Sequence, residues 1–212
     1  MTTLTIDIWS DVMCPFCYLG DSVLAEALEE FEHRDQVTVT YHSYQLMPEL
    51  SVEPVDMQQL LAGRYGPEQL AAQHEHLAAR GKEHGLEYNF ETSLAVNTRK
   101  AHELSHFATS KGKGHETMLR LFKAHFTEGL NVADVDTLAR LAGEVGLDEA
   151  EARASLERAE FADAVDTDIV AAQQMGITGV PFFVFAGKYA LSGAQPKEMF
   201  AQALNTAWGE TQ

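Results

Sequence analysis

The sequence predicts an α/β protein whose sheet is interrupted by a long all-helical insertion. Three observations carry this: a strand pattern running straight into a helical stripe near the N-terminus, a second strand pattern before Pro48, and strand character that returns only after Pro181. Such alternation implies a sheet covered by helices, and its first strand-to-helix turn is a natural place for an active site.

Periodicity justifies each element in turn. Leu4, Ile6 and Ile8 share one face while Thr5, Asp7 and Trp9 share the other, the period of two that a strand requires. Behind them Gly20, Val23, Leu24, Ala27, Leu28 and Phe31 recur at the three- and four-residue spacing of one helical stripe. Val37, Val39 and Tyr41 then alternate with Thr38, Thr40 and His42 in a second strand reaching about Gln45, and Pro48 and Pro54 break the pattern. From Asp56 to about Met175 the chain is rich in Ala, Leu, Glu and Gln and shows no strand-like alternation of useful length. Gly66-Pro67, Gly81 to Gly85, Gly112 to Gly114, Gly129 and Gly146 divide it into helices. Phe182 to Phe185 reads as a strand apolar on both faces. Ala186-Gly187-Lys188 turns the chain, Tyr189 to Leu191 returns, and a last helix follows Pro196. Residues 1–50 and 158–212 accordingly form the sheet domain, and residues 51–157 the helical insertion.

Composition narrows the function. Across 212 residues, 15 Lys and Arg face 32 Asp and Glu, and the net charge of −17 argues against nucleic acid or an anionic membrane as partner. No apolar run has the length of a membrane span. The N-terminus enters strand pattern by Leu4 without a basic region or apolar signal core, so the expected location is the cytoplasm.

The only two cysteines stand together in Cys14-Pro15-Phe16-Cys17, at the predicted strand-to-helix turn. A structural zinc site needs four ligands, and no second cysteine pair exists to supply them. A lone Cys-x-x-Cys beside a strand–helix–strand pattern reads instead as a redox dithiol, because disulfides in a reducing compartment are transient and catalytic. Unpaired amides and the positive end of the helix dipole stabilise an anion at the position of Cys14, which makes it the attacking thiol. Cys17 lies one turn deeper and resolves the mixed disulfide. Pro15 suits the first turn, its φ already helical and its missing N–H not required there.

Ser10-Asp11-Val12-Met13-Cys14-Pro15-Phe16-Cys17-Tyr18-Leu19-Gly20 and Gly176-Ile177-Thr178-Gly179-Val180-Pro181-Phe182-Phe183-Val184 resemble the motifs of DsbA-like oxidoreductases with a thioredoxin fold, in their FrnE-like branch. The resemblance runs over essentially the whole chain, although Phe16 stands where many relatives carry Trp. Asn97-Thr98-Arg99-Lys100-Ala101-His102 and the segment Leu121 to Gly129 are similar to that family's helical-domain signatures. The resemblance implies a thiol–disulfide oxidoreductase that needs no organic or metal cofactor. It implies disulfide or thiol substrates, glutathione as a candidate redox partner, and leaves a homodimer open. It further implies that Pro181 follows a cis peptide bond and faces the dithiol, and that the Val180 backbone pairs with an extended substrate. Pro15 and Phe16 would contact that substrate, and the insertion would wall the site with Asn97 and His102 close to Cys14.

Two rival readings use the same residues. His102-Glu103-Leu104-Ser105-His106 matches the H-E-x-x-H pattern of zinc hydrolases, but the extended pattern fails, with Thr109 where it wants Gly and Gly112 where it wants His. Kappa-class glutathione transferases and hydroxychromene-carboxylate isomerases resemble the same architecture and carry Ser in the place of Cys14. Two cysteines favour electron exchange.

Overall fold

The computed structural model describes residues 3–211. Strand β1 (Leu4–Ser10) leads into α1 (Pro15–Glu29), and the chain crosses to β2 (Val37–Ser43), which lies parallel to β1 with Leu4 opposite Val37 and Ser10 opposite Ser43. The insertion begins with β3 (Val55–Asp56), α2 (Met57–Tyr65), α3 (Pro67–Glu83) and β4 (Leu94–Ala95). It continues through α4 (Arg99–Ser110), α5 (Gly114–Phe126), α6 (Val135–Glu144) and α7 (Glu149–Glu157). Helix α8 (Ala162–Gln174) leads back to the sheet, where β5 (Phe182–Phe185) pairs antiparallel with the free side of β1. The hairpin partner β6 (Tyr189–Ser192) and helix α9 (Lys197–Thr211) close the chain, giving the strand order β2-β1-β5-β6.

Alternation decides which side chains meet. Leu4, Ile6 and Ile8 of β1 are buried with Leu19, Val23 and Leu24 of α1, and the same core takes in Leu104, Leu121 and Phe122 of the insertion and Phe200 and Leu204 of α9. On the opposite face Trp9 packs with Val184, Ala172 of α8 and Ile177. The insertion therefore shares the main core of the sheet. Aspartates begin three of its helices: Asp56, Asp134 and Asp148 accept from the amides of Gln59, Thr137 and Glu151, each satisfying one of the orphan donors of a helix start.

Two details depart from the expected uninterrupted helices. Residues 84–98 leave the α-helix, and within them Leu94 and Ala95 pair antiparallel with Asp56 and Val55 in a short ladder. Two residues are too few to show a period of two, and their partner lies some forty positions along the chain, so no local pattern announces them. The stripe through Phe31 also outruns its helix, because α1 stops at Glu29 while Phe31 stays buried.

Candidate active site

Cys14 is the N-cap of α1. Its amide donates to the Asp11 carbonyl at 2.9 Å, and its own carbonyl accepts from the amide of Cys17 at 3.0 Å. This turns the chain from strand to helix within four residues and leaves both cysteines as free thiols. The thiols are not equally placed, although both are buried, at 4% exposure for Cys14 and 1% for Cys17. Only Cys14 borders the adjoining groove, and its Sγ–H donates to the Val180 carbonyl at 3.4 Å. Burial pushes the Cys17 thiol well up, and the Cys14 sulfur beside it adds to the effect against weaker help from Ser10 and the Asp11 backbone.

The Val180–Pro181 bond is cis, and the loop it belongs to covers the dithiol. Gly20 of α1 makes that approach feasible. A Cβ there would stand 3.1 Å from Pro181 Cγ and from Phe183 Cζ. Tyr88, from the irregular segment after α3, donates its hydroxyl to the Pro15 carbonyl at 2.7 Å and packs edge-on against Tyr18, so the insertion holds the backbone between the two cysteines. Sequence reading missed Tyr88, since a lone tyrosine in a loop carries no period and no motif.

A groove of about 440 Å³ opens at Cys14. Pro15, Phe16, Gly179 and Val180 border it from the sheet domain, and Met57, Leu61 and Tyr65 of α2 with Leu70 and Leu77 of α3 form the facing wall. Phe16, Leu46 and Tyr65 keep 46%, 41% and 47% of their surface exposed, an apolar rim left open to solvent. The insertion does wall the site, but through α2 and α3 rather than through the residues expected to do so.

Asn97 is outside the groove and fully engaged as a structural tie. Its Oδ1 accepts from the Gln45 side chain at 3.0 Å and from the Arg99 amide at 2.9 Å, and its Nδ2 donates to the carbonyls of Pro48 and Leu50. From the position before Thr98, the N-cap of α4, it holds the first amide of that helix and fixes the loop after β2. His102 is 2% exposed and likewise out of a substrate's reach, with Nε2 at 3.4 Å from Asp11 Oδ1. Asp11 was absent from the expected site. Its carboxylate accepts from the Leu46 amide at 2.7 Å and the Met13 amide at 3.4 Å, tying the active-site turn to the groove rim. Beneath it burial lowers the His125 imidazole to about 4, against a weaker pull from Asp11.

The histidines of the H-E-x-x-H pattern serve different partners. His102 faces Asp11, whereas His106 Nε2 lies 3.0 Å from Asp168 Oδ2 and 3.1 Å from Ser43 Oγ. Glu103 is bound to Lys100 at 2.9 Å. No group of three His, Cys, Asp or Glu side chains is placed to hold a metal ion among the described residues. Nor does Ser43 join a hydrolytic relay, because Asp168 and Ser43 meet the same ring nitrogen, whereas a relay needs opposite ones.

The family model of the DsbA-like thioredoxin domain matches residues 5–205. The chain belongs to that family. It is 32% identical over 207 residues to the uncharacterised protein YwbO of Bacillus subtilis, covering 96% of each chain. Its structure superposes on a probable DsbA oxidoreductase, SCO1869 of Streptomyces coelicolor, with a TM-score of 0.92 and 38% identity over 98% of this chain and 91% of that one. The cytosolic disulfide reductase DsbM of Pseudomonas aeruginosa, also solved with GSH, shares the fold at a TM-score of 0.67 and 20% identity over 97% of this chain and 99% of that one. This is therefore a DsbA-like oxidoreductase whose thioredoxin fold carries a helical insertion. No helix among the described residues is long and apolar enough to cross a membrane.

Proposed function

We propose that this DsbA-like protein is a cytoplasmic thiol–disulfide oxidoreductase of the FrnE-like branch, working through Cys14 and Cys17 on polypeptide substrates. The observation that carries the reading is the unequal placement of the two thiols: Cys14 borders the groove against the cis-Pro loop, and Cys17 lies beneath it. In the reducing direction the Cys14 thiolate attacks one sulfur of a substrate disulfide. That S–S bond breaks, one substrate thiolate leaves and takes up a proton, and a mixed disulfide joins Cys14 to the substrate. Cys17, once deprotonated, attacks Cys14 Sγ and releases the second substrate thiol. The substrate gains two electrons and two protons, and the enzyme is left with a Cys14–Cys17 disulfide. The reverse sequence oxidises a substrate dithiol.

An apolar groove with an exposed aromatic and aliphatic rim suits an extended polypeptide, whose backbone would lie along Val180 while Pro15 and Phe16 contact its side chains. Glutathione is proposed as the thiol that returns the oxidised enzyme to its dithiol form; the fold shared with DsbM, solved with GSH, supports this and the cytoplasmic setting. The insertion, residues 51–157 in this reading, is assigned the groove wall. Trapping tests the mechanism: Cys17→Ser accumulates thiol-reversible mixed disulfides through Cys14, and Cys14→Ser accumulates none and loses exchange. Equal trapping by both variants would refute the assignment.

A further inference from the structure

The groove at Cys14 carries one fixed charge. Of the 32 Asp and Glu in the chain, none lines it. Burial lowers the His74 imidazole in its wall, and the Gln58 side-chain amide donates to His74 Nδ1 at 3.0 Å, so that ring stays neutral. Arg64, in the last turn of α2, is then the only cation the groove presents.

Arg64 is also unspent. Six of the eight arginines pair with a carboxylate, and Arg80 donates to the Ala194 carbonyl at 3.1 Å. Among the described residues Arg64 has neither kind of partner. Its guanidinium carbon stands 5.9 Å from the centre of the exposed Tyr65 ring, in range of a cation–π contact that leaves its N–H fork open. A helix C-terminus favours a basic residue, which accounts for a cation at this position but not for a groove cleared of carboxylates around it.

The rest of the lining discriminates weakly. Three of the seven methionines, Met13, Met47 and Met57, border the groove, and unbranched thioethers adjust to apolar side chains of many shapes. A net charge of −17 repels acidic segments over most of the surface. At Arg64 the sign is locally reversed, and a planar guanidinium fits a carboxylate through two parallel N–H donors.

We propose that Arg64 is a specificity-determining residue: among extended polypeptides reaching Cys14, it selects those with an aspartate or glutamate within a few residues of the reacting cysteine. The inference rests on the reading of this groove as the polypeptide site. Arg64 holds the segment and takes no part in the sulfur chemistry.

Symmetrical disulfide dimers of an apolar single-cysteine peptide test it, with Glu, Gln or Lys placed in turn at each of the three positions on either side of the cysteine. Rates of reduction by the reduced enzyme are divided by the rates with dithiothreitol, which removes the intrinsic reactivity of each disulfide. At the position facing Arg64, Glu is expected to exceed Gln by about two- to fivefold, the effect of an exposed ion pair, and high salt narrows the gap. Arg64→Gln removes the preference, and Arg64→Glu transfers it to Lys. Each ratio is taken within one variant and is independent of the fraction folded. Equal rates for Glu and Gln in the wild type, or a preference that survives in Arg64→Gln, overturns the inference, while trapping of the same peptides by Cys17→Ser leaves the dithiol reading standing. An effect of Arg64→Gln confined to glutathione disulfide would assign the arginine to the small thiol and overturn it too. If no peptide is reduced or trapped, the polypeptide reading falls and this inference falls with it.

Discussion

Cys14 and Cys17 carry one side chain in two settings, and the proposed reaction depends on the difference. Cys14 caps a helix with no acidic residue in its first turn and touches the Val180 carbonyl; Cys17 is raised by burial and by its partner sulfur. In that proposed reaction, resolution of a mixed disulfide waits for Cys17 to ionise. Its rate, followed by stopped flow on a preformed mixed disulfide, is expected to keep rising with pH beyond the ordinary thiol value of about 8.5. A plateau below that value would mean that Cys17 is not held up by burial. Tyr88 acts on the same turn from outside it. Tyr88→Phe removes the hydrogen bond to the Pro15 carbonyl and is expected to cost about 0.5–1.5 kcal/mol in urea unfolding, with a measurable change in reduction potential against glutathione. Unaltered stability and potential together would remove Tyr88 from the support of the site.

Helix α1 and the β5 loop must approach closely for the cis-Pro segment to reach Cys14, and Gly20 sets that distance. Gly20→Ala places a methyl 3.1 Å from Pro181 Cγ and Phe183 Cζ, while Phe183 is fully buried and has little room to yield. Alanine in a helix interior gains about 0.5–1 kcal/mol over glycine, which offsets part of the crowding. Exchange is therefore expected to suffer more than stability: a several-fold loss of insulin-reduction rate with a thermal midpoint moved by only a few degrees. A variant as fast as the wild type would show that the loop tolerates displacement. The α2–α3 wall makes a matching case at the other side of the groove. Met57 and Leu61 contribute apolar surface to the cavity and no charge, so Leu61→Ala should raise KM for an apolar cysteine peptide while leaving the reaction with a small thiol such as free cysteine unchanged.

The insertion, α8 and the sheet are joined by one polar network. His42 of β2 bridges Asp168 of α8 at 2.8 Å and Asp7 of β1 at 2.9 Å; the other oxygen of Asp168 takes the Ser43 amide at 2.8 Å and His106 of α4 at 3.0 Å. Burial opposes ionisation of Asp168, but His106, His42 and the Ser43 amide outweigh it and hold the carboxyl far below the usual range. Burial likewise opposes the His42 cation, and bonds to Asp168 and Asp7 outweigh it and raise the imidazole. The two signs bracket a window. A depressed carboxyl contributes stability above about pH 4 that is lost as pH falls through its folded value; a raised imidazole contributes below about pH 6.5 and loses it as pH rises through its folded value. Asp168→Asn is expected to destabilise by about 1.5–3 kcal/mol, with the gap to wild type widest between about pH 4 and 6.5. A gap independent of pH would mean that packing, not charge, joins these elements.

Local rules determined much of this protein. Alternation in residues 4–10 and 37–43, the stripe of α1 and the hairpin turn at Ala186-Gly187-Lys188 each state their own conformation, because side-chain periodicity and turn chemistry act over a few residues. The same locality placed Cys14 at a helix start, next to Cys17. What tertiary structure alone decided is which distant surfaces meet that turn. Asn97 and His102 stand in a motif-like segment, yet Asn97 ties the start of α4 to the loop after β2 and His102 packs against Asp11, while the apolar side chains of α2 and α3, ordinary in sequence, line the groove at Cys14. Periodicity tells which side of a helix is apolar, but both a core and a binding groove accept an apolar stripe. Only the packing of the insertion against the sheet determines which of the two each stripe becomes.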